Sequence, residues 1–268
     1  MTAATPAARR VERPSPPPRS WLGPLGMLAF AAITVWSAIA IGFDPREILA
    51  DITRGSHILA EFFPPDFSFA PRTAQRMLET FQMAVIATGI GCGTALPVAF
   101  LASIVTSPGR PVFLVSRGVL SVIRALPDIL YALVFVAALS IGPLPGILAL
   151  IFFNVAVTAK LLSETVDGVD VGPTEAAQAA GASRWQTNRT AVLPQVLPHY
   201  VAYSLYVFEL NIRASAVIGI VGAGGIGQLL NERRKVFAYD DVSMIVLELF
   251  VFVFVIELIS IALRRRLV

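Results

Sequence analysis

Residues 175–194 read EAAQAAGASRWQTNRTAVLP, a polar stretch that interrupts long apolar segments. Its alanines have the highest helix propensity of any residue, and Gly181 interrupts them. Ser183 and Gln186 then form the S-x-x-Q pattern of a capping box, which starts a second helix. The stretch therefore predicts two short helices that meet at Gly181.

The first of these two helices is predicted to begin at Pro173, because proline is tolerated at a helix start. Glu175 would then place a negative charge in the first turn, where the helix dipole favours it. The alanine face is smooth enough for another protein to approach closely, with Trp185 as an anchor. From these residues alone, a protein-docking surface and a simple amphipathic connector both explain the stretch.

The composition indicates an integral membrane protein. Hydrophobic residues make up 56% of the chain and charged residues 15%, against about 25% charged residues in a soluble domain. The net charge of +3 is modest and the basic residues are not interleaved with aromatic ones, so we expect no nucleic-acid binding. His57 and His199 are far apart and lack a Cys/His cluster, so we predict no metal site.

Several apolar runs are long enough to cross a bilayer of about 30 Å, which predicts an all-α, polytopic membrane protein. The six predicted spans are residues 21–43, 74–106, 112–141, 147–162, 196–221 and 242–263. An even number of spans puts both termini on one side, and the arginines near both ends indicate the cytoplasmic side. Residues 172–194 then also face the cytoplasm. The basic residues 233–235 would lie on the outer side of the membrane, which the positive-inside rule disfavours.

The predicted organisation has four parts. Residues 1–20, with arginines among prolines, predict a disordered basic cytoplasmic leader. The apolar run of residues 21–43 resembles a signal peptide, but it exceeds the usual apolar length of about 7–15 residues, so we favour a retained first transmembrane helix. Residues 44–71 predict a periplasmic amphipathic segment, and residues 72–268 a five-helix core.

Glycines in the second span suggest a helix contact. Gly89 and Gly93 form a G-x-x-x-G pattern, which lets another helix approach closely in lipid. The general abundance of glycine in membrane helices explains the pattern equally well.

A glycine run at residues 217–227 offers a competing function. Gly222, Gly224 and Gly227 match the G-x-G-x-x-G dinucleotide fingerprint, and Asp240 lies about where a ribose-binding acid would fall. This pattern alone supports a membrane-embedded nucleotide-binding enzyme. However, the preceding apolar run is far too long for a strand and no βαβ rhythm surrounds it. We favour a glycine-rich bend at the outer end of the fifth span.

Charged residues inside the spans are the other informative feature, because each costs about 2.5–3.5 kcal/mol at the bilayer centre. Glu209 and Arg213 lie four residues apart, as do Arg124 and Asp128, so each pair would share one helix face. Two neutralised structural pairs explain this spacing. Alternatively, an arginine gives up part of its bond to the carboxylate and binds an anion.

The sequence predicts no catalytic residues. It contains no G-x-x-x-x-G-K-[ST] pattern for ATP and no Ser/His/Asp arrangement or paired carboxylates in a plausible pocket. We therefore expect a non-enzymatic subunit that binds no cofactor and draws its energy from a partner.

Three features of the polar stretch, Glu175 followed by two alanines, Gly181, and Leu193 followed by Pro194, resemble the EAA loop of permease subunits of bacterial ABC importers. Ala191 departs from that pattern, which usually has an aliphatic residue there, and Val192 would fill the same pocket. The resemblance implies coupling helices that sit in a groove of an ATP-hydrolysing subunit. The implied coupling residues are Glu175, Ala176, Ala177, Gly181, Ser183 and Trp185.

Motifs outside this loop narrow the resemblance to the phosphonate importer permeases, over residues 60–265. These motifs are residues 62–67, 160–164, 193–197, 204–206 and 221–227. The resemblance implies a type I permease homodimer in the bacterial inner membrane. It also implies a cytoplasmic ATPase dimer that uses ATP and Mg²⁺, and an external binding protein that delivers phosphonate, or in some relatives phosphate or phosphite.

The resemblance also implies a substrate path within the spans, in which an arginine tilts toward the oxyanion in transit because guanidinium matches the geometry of a phosphoryl group, and Arg213 is favoured over Arg124. Glu209, Asn211 and Arg213 resemble a polar cluster particular to the phosphonate group, whereas an arginine like Arg124, with Asp128 beside it, looks common to many importer permeases. The outer gate would include the glycines of the bend, which are Gly222, Gly224, Gly225 and Gly227.

Overall fold

The computed structural model describes residues 21–50 and 52–265, so the predicted leader at residues 1–20 lies outside the described residues. The chain divides into two units, residues 1–56 and residues 57–268. In the first unit, α1 (Leu22–Ala40) is an apolar helix of 19 residues, long enough to cross a membrane. The shorter helix α2 (Pro45–Ala50) follows, and α3 (Ile52–Glu61) crosses the boundary between the two units.

The second unit is built from helices that follow one another with short connections. A 3₁₀ turn at Phe67–Phe69 precedes the first of them, and Asp66 accepts a hydrogen bond from the backbone N–H of Ser68 at that turn. The helices are α4 (Ala70–Leu101), α5 (Arg110–Ala125), α6 (Asp128–Leu139), α7 (Pro143–Asp167), α8 (Val171–Ala179), α9 (Arg184–Thr187), α10 (Leu193–Gly219), α11 (Gly225–Lys235) and α12 (Tyr239–Arg264).

The described part of the chain has five helices that are long and apolar enough to cross a membrane, or six spans if one bent pair is counted. The bent pair is α5 and α6, whose axes differ by 85°. The third span predicted at residues 112–141 is therefore not one continuous helix, and the predicted six spans are reached only if this bent pair counts as one span. Leu126, at the break, has the extended backbone (ψ 135°) that the following Pro127 favours, and this conformation ends α5.

Helix α4 packs along α7, and small residues make this contact close. A Cβ atom at Gly91 would lie only 2.5 Å from the Cβ atom of Asn154 on α7. The predicted close approach at Gly89 and Gly93 does not occur within the described part of the chain, since neither position has a neighbouring atom within 4 Å. The reason is helix geometry, because Gly91 is the glycine on the face that α7 covers.

Candidate functional site

The polar stretch forms one short helix, α8, and the first turns of a long one, because α9 continues through a π-helical segment (Asn188–Val192) into α10. The break at Gly181 is as predicted, whereas the prediction of a second short helix is wrong. Helix α8 ends at Ala179, and Gly181 then has a φ of +81°, a left-handed conformation that glycine adopts without strain. The predicted capping box at the start of α9 is confirmed. The Ser183 hydroxyl accepts a hydrogen bond from the Gln186 N–H (3.4 Å), and the Ser183 N–H donates to Gln186 Oε1 (2.8 Å).

The predicted start of the first short helix is wrong. Helix α8 begins at Val171 because the Asp170 carboxylate caps it and accepts a hydrogen bond from the Gly172 N–H (3.0 Å). Pro173 is therefore already inside the helix, and Glu175 lies beyond the first turn, where the dipole favours a negative charge less strongly. The sequence did contain a signal for this helix start, because Asp170 is a residue type that favours the N-cap position.

Both ends of the stretch are fastened to the rest of the second unit. At α9, Arg184 Nη1 donates to the backbone oxygens of Pro108 (2.9 Å) and Ser107 (3.3 Å), in the turn that precedes α5. At α8, the Asp170 N–H donates to Gln195 Oε1 (3.0 Å), and Gln195 lies in the first turn of α10. These hydrogen bonds join α8 to α10 and α9 to the α4–α5 turn.

The outer surface of the stretch is exposed. Trp185 is 74% exposed, which is a high value for a tryptophan, a residue type that is usually well buried. Among the other residues of the predicted coupling surface, Glu175, Ala176, Gly181 and Ser183 are exposed, and Ala177 is half-buried. Val192 is fully buried in a cluster with residues of α4, α7 and α10, whereas Ala191 is 7% exposed.

Asp167, in the last turn of α7, joins three elements next to this surface. Its carboxylate accepts hydrogen bonds from the Ser103 hydroxyl (2.6 Å) and the Ile104 N–H (2.7 Å) and pairs with Arg117 of α5 (2.7 Å). The sequence reasoning missed this residue because its partners lie 50 to 64 positions away and leave no local pattern.

A polar network within the spans surrounds Glu209, which is only 6% exposed. The predicted pair with Arg213 is confirmed, and Arg264 Nη2 of α12 also binds this carboxylate (3.1 Å). Arg213 in turn lies 3.8 Å from the carboxylate of Glu257 on α12. The network holds two positive and two negative charges. Glu257 and Arg264 were missed because α12 approaches α10 only in the folded chain.

Asn211 ties α10 to α4. Its side chain is fully buried, and its amide nitrogen donates to the Thr88 hydroxyl (2.8 Å). Its amide oxygen has no hydrogen-bond partner among the described residues.

Arg124 and Asp128 do not share a helix face, so the predicted pairing is wrong. Arg124 is in the last turn of α5 and Asp128 is the first residue of α6, on opposite sides of the 85° break. Although both residues are described, no ion pair joins them, and the Asp128 carboxylate instead accepts from the Ile129 N–H (2.9 Å). Both residues line a cavity of about 390 Å³ at the break.

The glycine run forms the bend between α10 and α11. Gly224 has a φ of +82°, and a Cβ atom there would lie 2.8 Å from the Pro143 Cα atom, so α7 begins in direct contact with the bend. Gly222 and Gly225 also have positive φ, and a Cβ atom at Gly227 would lie 2.1 Å from a backbone oxygen of α10.

The competing dinucleotide interpretation of this run is wrong. The residues before it form α10, and the described part of the chain contains no β-strand from which a βαβ unit could be built. The backbone N–H groups that would hold a phosphate are also occupied. The Gly225 N–H donates to Glu79 Oε1 (3.2 Å), and the Ile226 N–H donates to the Thr80 hydroxyl (2.8 Å).

Comparison with known proteins gives one family and several relatives. Residues 95–268 match the family described as "Binding-protein-dependent transport system inner membrane component". The chain is 35% identical to a phosphite transport system permease protein of Stutzerimonas stutzeri, over 92% of this chain and 90% of the relative. It is 36% identical to a phosphate-import permease protein of Mycolicibacterium smegmatis, over 91% of this chain but only 46% of that longer relative.

Solved structures support the same fold. The MetNI methionine ABC transporter in an inward-facing conformation matches with a TM-score of 0.63 and 23% identity, over 73% of this chain and 95% of the solved one. A bacterial ABC transporter involved in the import of alginate matches with a TM-score of 0.59 and 16% identity, over 90% of this chain and 99% of the solved one.

Proposed function

Because this chain belongs to the family of binding-protein-dependent transport system inner membrane components, we propose that it is the permease subunit of an ATP-driven importer for phosphonate or a related phosphorus oxyanion. Inorganic phosphate and phosphite are the alternative substrates within the same family. The observation that carries the substrate class is the 35% identity with a phosphite permease over 92% of the chain.

The coupling surface is assigned to α8, Gly181 and α9. Its residues are Glu175, Ala176, Ala177, Gly181, Ser183 and Trp185. Two observations support the assignment. The surface is exposed, and hydrogen bonds at Asp170 and Arg184 tie it to α10 and to the α4–α5 turn. A docked partner would therefore move these two elements together. The partner is a cytoplasmic ATPase dimer that uses ATP and Mg²⁺, and both termini of this chain lie on the same cytoplasmic side.

A second copy of the chain completes the pore. Helix α5 exposes an apolar face that includes Val115 (66%) and Val122 (67%), and the cavity lined by Arg124 lies at the end of the same helix. In lipid, irregular backbone such as the α5–α6 break is tolerated only where it is covered by protein or lines a cavity. A homodimer with the two breaks near its axis satisfies this condition, and an extracytoplasmic binding protein delivers the ligand to it.

The substrate path passes Arg213, with Glu209 and Asn211 beside it. Arg213 is 48% exposed and shares the Glu209 carboxylate with Arg264. It can therefore turn toward an oxyanion while Arg264 still neutralises Glu209, so no buried charge is left unpaired. Guanidinium groups bind phosphoryl oxygens in a bidentate manner, which suits this ligand class.

Arg124 and Asp128 form a second part of the proposed path. Both residues line the cavity at the α5–α6 break, where the Arg124 guanidinium would attract the anion. The outer gate is the bend with Gly222, Gly224, Gly225 and Gly227, held against α4 by Glu79 and Thr80.

Uptake in cells tests the proposed function. A strain that lacks the gene for this chain should lose import of radiolabelled phosphate or methylphosphonate, and the restored gene should return it. Excess unlabelled phosphonate, phosphite and phosphate, added separately, rank the three substrates. Unchanged uptake of all three in the deleted strain, with other importers of these ions also deleted, would exclude the proposed function.

A further inference from the structure

An apolar groove lies between the end of α4 and helix α9. Its volume is about 590 Å³, no residue of the proposed substrate path lines it, and Trp185 is the one proposed coupling residue in its lining. Leu96, Phe100 and Leu101 of α4 form one wall, and Trp185 and Leu193 line the opposite side.

The rim of this groove is basic. Arg184 and Arg189 line it, and a neighbouring depression of about 430 Å³ shares Arg184 and adds Arg110. Neither depression has an acidic lining residue among the described residues. Arg110 and Arg189 are exposed, and neither forms an ion pair within the part of the chain that the structure describes.

The third arginine is held in place at the junction of the two depressions. Arg184 uses Nη1 to bind two backbone oxygens, at Ser107 and Pro108. A guanidinium group has five N–H donors, so this arginine can bind an anion without giving up either bond.

The groove lies at the end of a membrane span. Helix α4 belongs to a predicted span that ends at Leu101, and Trp185 is 74% exposed beside it. Tryptophan and arginine concentrate at the level of the lipid headgroups, and basic pockets at the ends of spans bind anionic headgroups. The apolar wall therefore suits an alkyl chain, and the three arginines suit an anionic headgroup.

We propose that this groove binds a membrane phospholipid with an anionic headgroup. An acyl chain lies along Leu96, Phe100 and Leu101, and the phosphate binds Arg189 and Arg110 on either side of Arg184. The proposal does not depend on which oxyanion the importer carries, because no residue of the substrate path lines the groove.

Native mass spectrometry of the purified full chain tests this site, with phosphatidylglycerol and phosphatidylcholine supplied in equal parts. The test variant is Arg110→Gln/Arg189→Gln, and it keeps Arg184, which also fastens α9. The control variant, Arg234→Gln/Lys235→Gln, removes the same charge from exposed positions at the end of α11. We expect phosphatidylglycerol affinity to fall about fivefold per arginine in the test variant and to be unchanged in the control.

Two further measurements separate a lipid from other occupants. Leu101→Trp removes no charge but fills the groove, and it should also lower phosphatidylglycerol retention, whereas excess inorganic phosphate should not displace the lipid. Equal retention by the test and control variants would overturn the proposal. So would photo-crosslinking from position 101 in the assembled transporter that captures the ATPase subunit instead of lipid.

Discussion

Replacing Gly181 with alanine is expected to weaken coupling between ATP hydrolysis and transport. The position has a φ of +81°, and a Cβ atom added there would meet no other atom within 4 Å, so the methyl group causes backbone strain and no clash. A left-handed backbone costs a residue with a Cβ about 1–2 kcal/mol. That cost lowers the equilibrium constant between the native α8–α9 geometry and its alternatives about 5- to 30-fold.

The population change sets the size of the measurable effect. If the partner ATPase binds only the native geometry, its apparent affinity for the permease falls in proportion to the fraction that keeps this geometry, with the same factor as the upper bound. The assay is transported substrate per ATP hydrolysed, together with the Kd for the ATPase subunit, in membranes that contain equal amounts of each permease variant.

Two matched variants sharpen this experiment. Gly168→Ala lies in the same region, but its φ is −99° and its nearest neighbour would be 3.6 Å from the added methyl group, so we expect no effect. Gly181→Asn should be milder than Gly181→Ala, because asparagine tolerates the left-handed conformation better. Coupling in Gly181→Ala that equals coupling in Gly168→Ala would refute the reasoning.

Three more predictions concern the network, the bend and the hub at the end of α7. Arg213→Ala should lower uptake about tenfold or more, and Arg213→Lys should lower it less. Protein levels should persist, because Arg264 still neutralises Glu209. Normal uptake by Arg213→Ala would show that Arg213 is only a structural partner of Glu209. Gly227→Ala should destabilise the protein by about 1–3 kcal/mol in thermal unfolding, because the added Cβ atom would lie 2.1 Å from a backbone oxygen. The control Gly93→Ala should be neutral, because an added Cβ atom there meets open space. Asp167→Ala should cost about 2–4 kcal/mol in the same assay and Asp167→Asn less; equal unfolding temperatures would disprove its role as a hub.

Local patterns in the sequence predicted those features that depend on neighbouring residues. The capping box at Ser183 and the break at Gly181 follow from side chains within three positions of one another. The pair between Glu209 and Arg213 likewise needs only the periodicity of one helix. Composition and the length of the apolar runs were sufficient for the all-α membrane fold.

Features that depend on long-range packing could not be predicted in this way. The Asp167 hub and the contribution of Arg264 to the Glu209 network join residues 50 or more positions apart. The break at Pro127 had a local signal, since proline restricts the residue before it, but the apolar run on both sides concealed it.

Reconstitution into liposomes tests the central claim most directly. Liposomes should carry this permease and the partner ATPase subunits with α8 and α9 facing inward, and the binding protein loaded with radiolabelled methylphosphonate, phosphite or phosphate should be added outside. We predict that at least one of these ions accumulates inside when ATP is supplied on the side of α8 and α9, and that the ATPase with Gly181→Ala permease hydrolyses ATP with less accumulation. Accumulation that needs neither ATP nor the ATPase subunits would contradict the account.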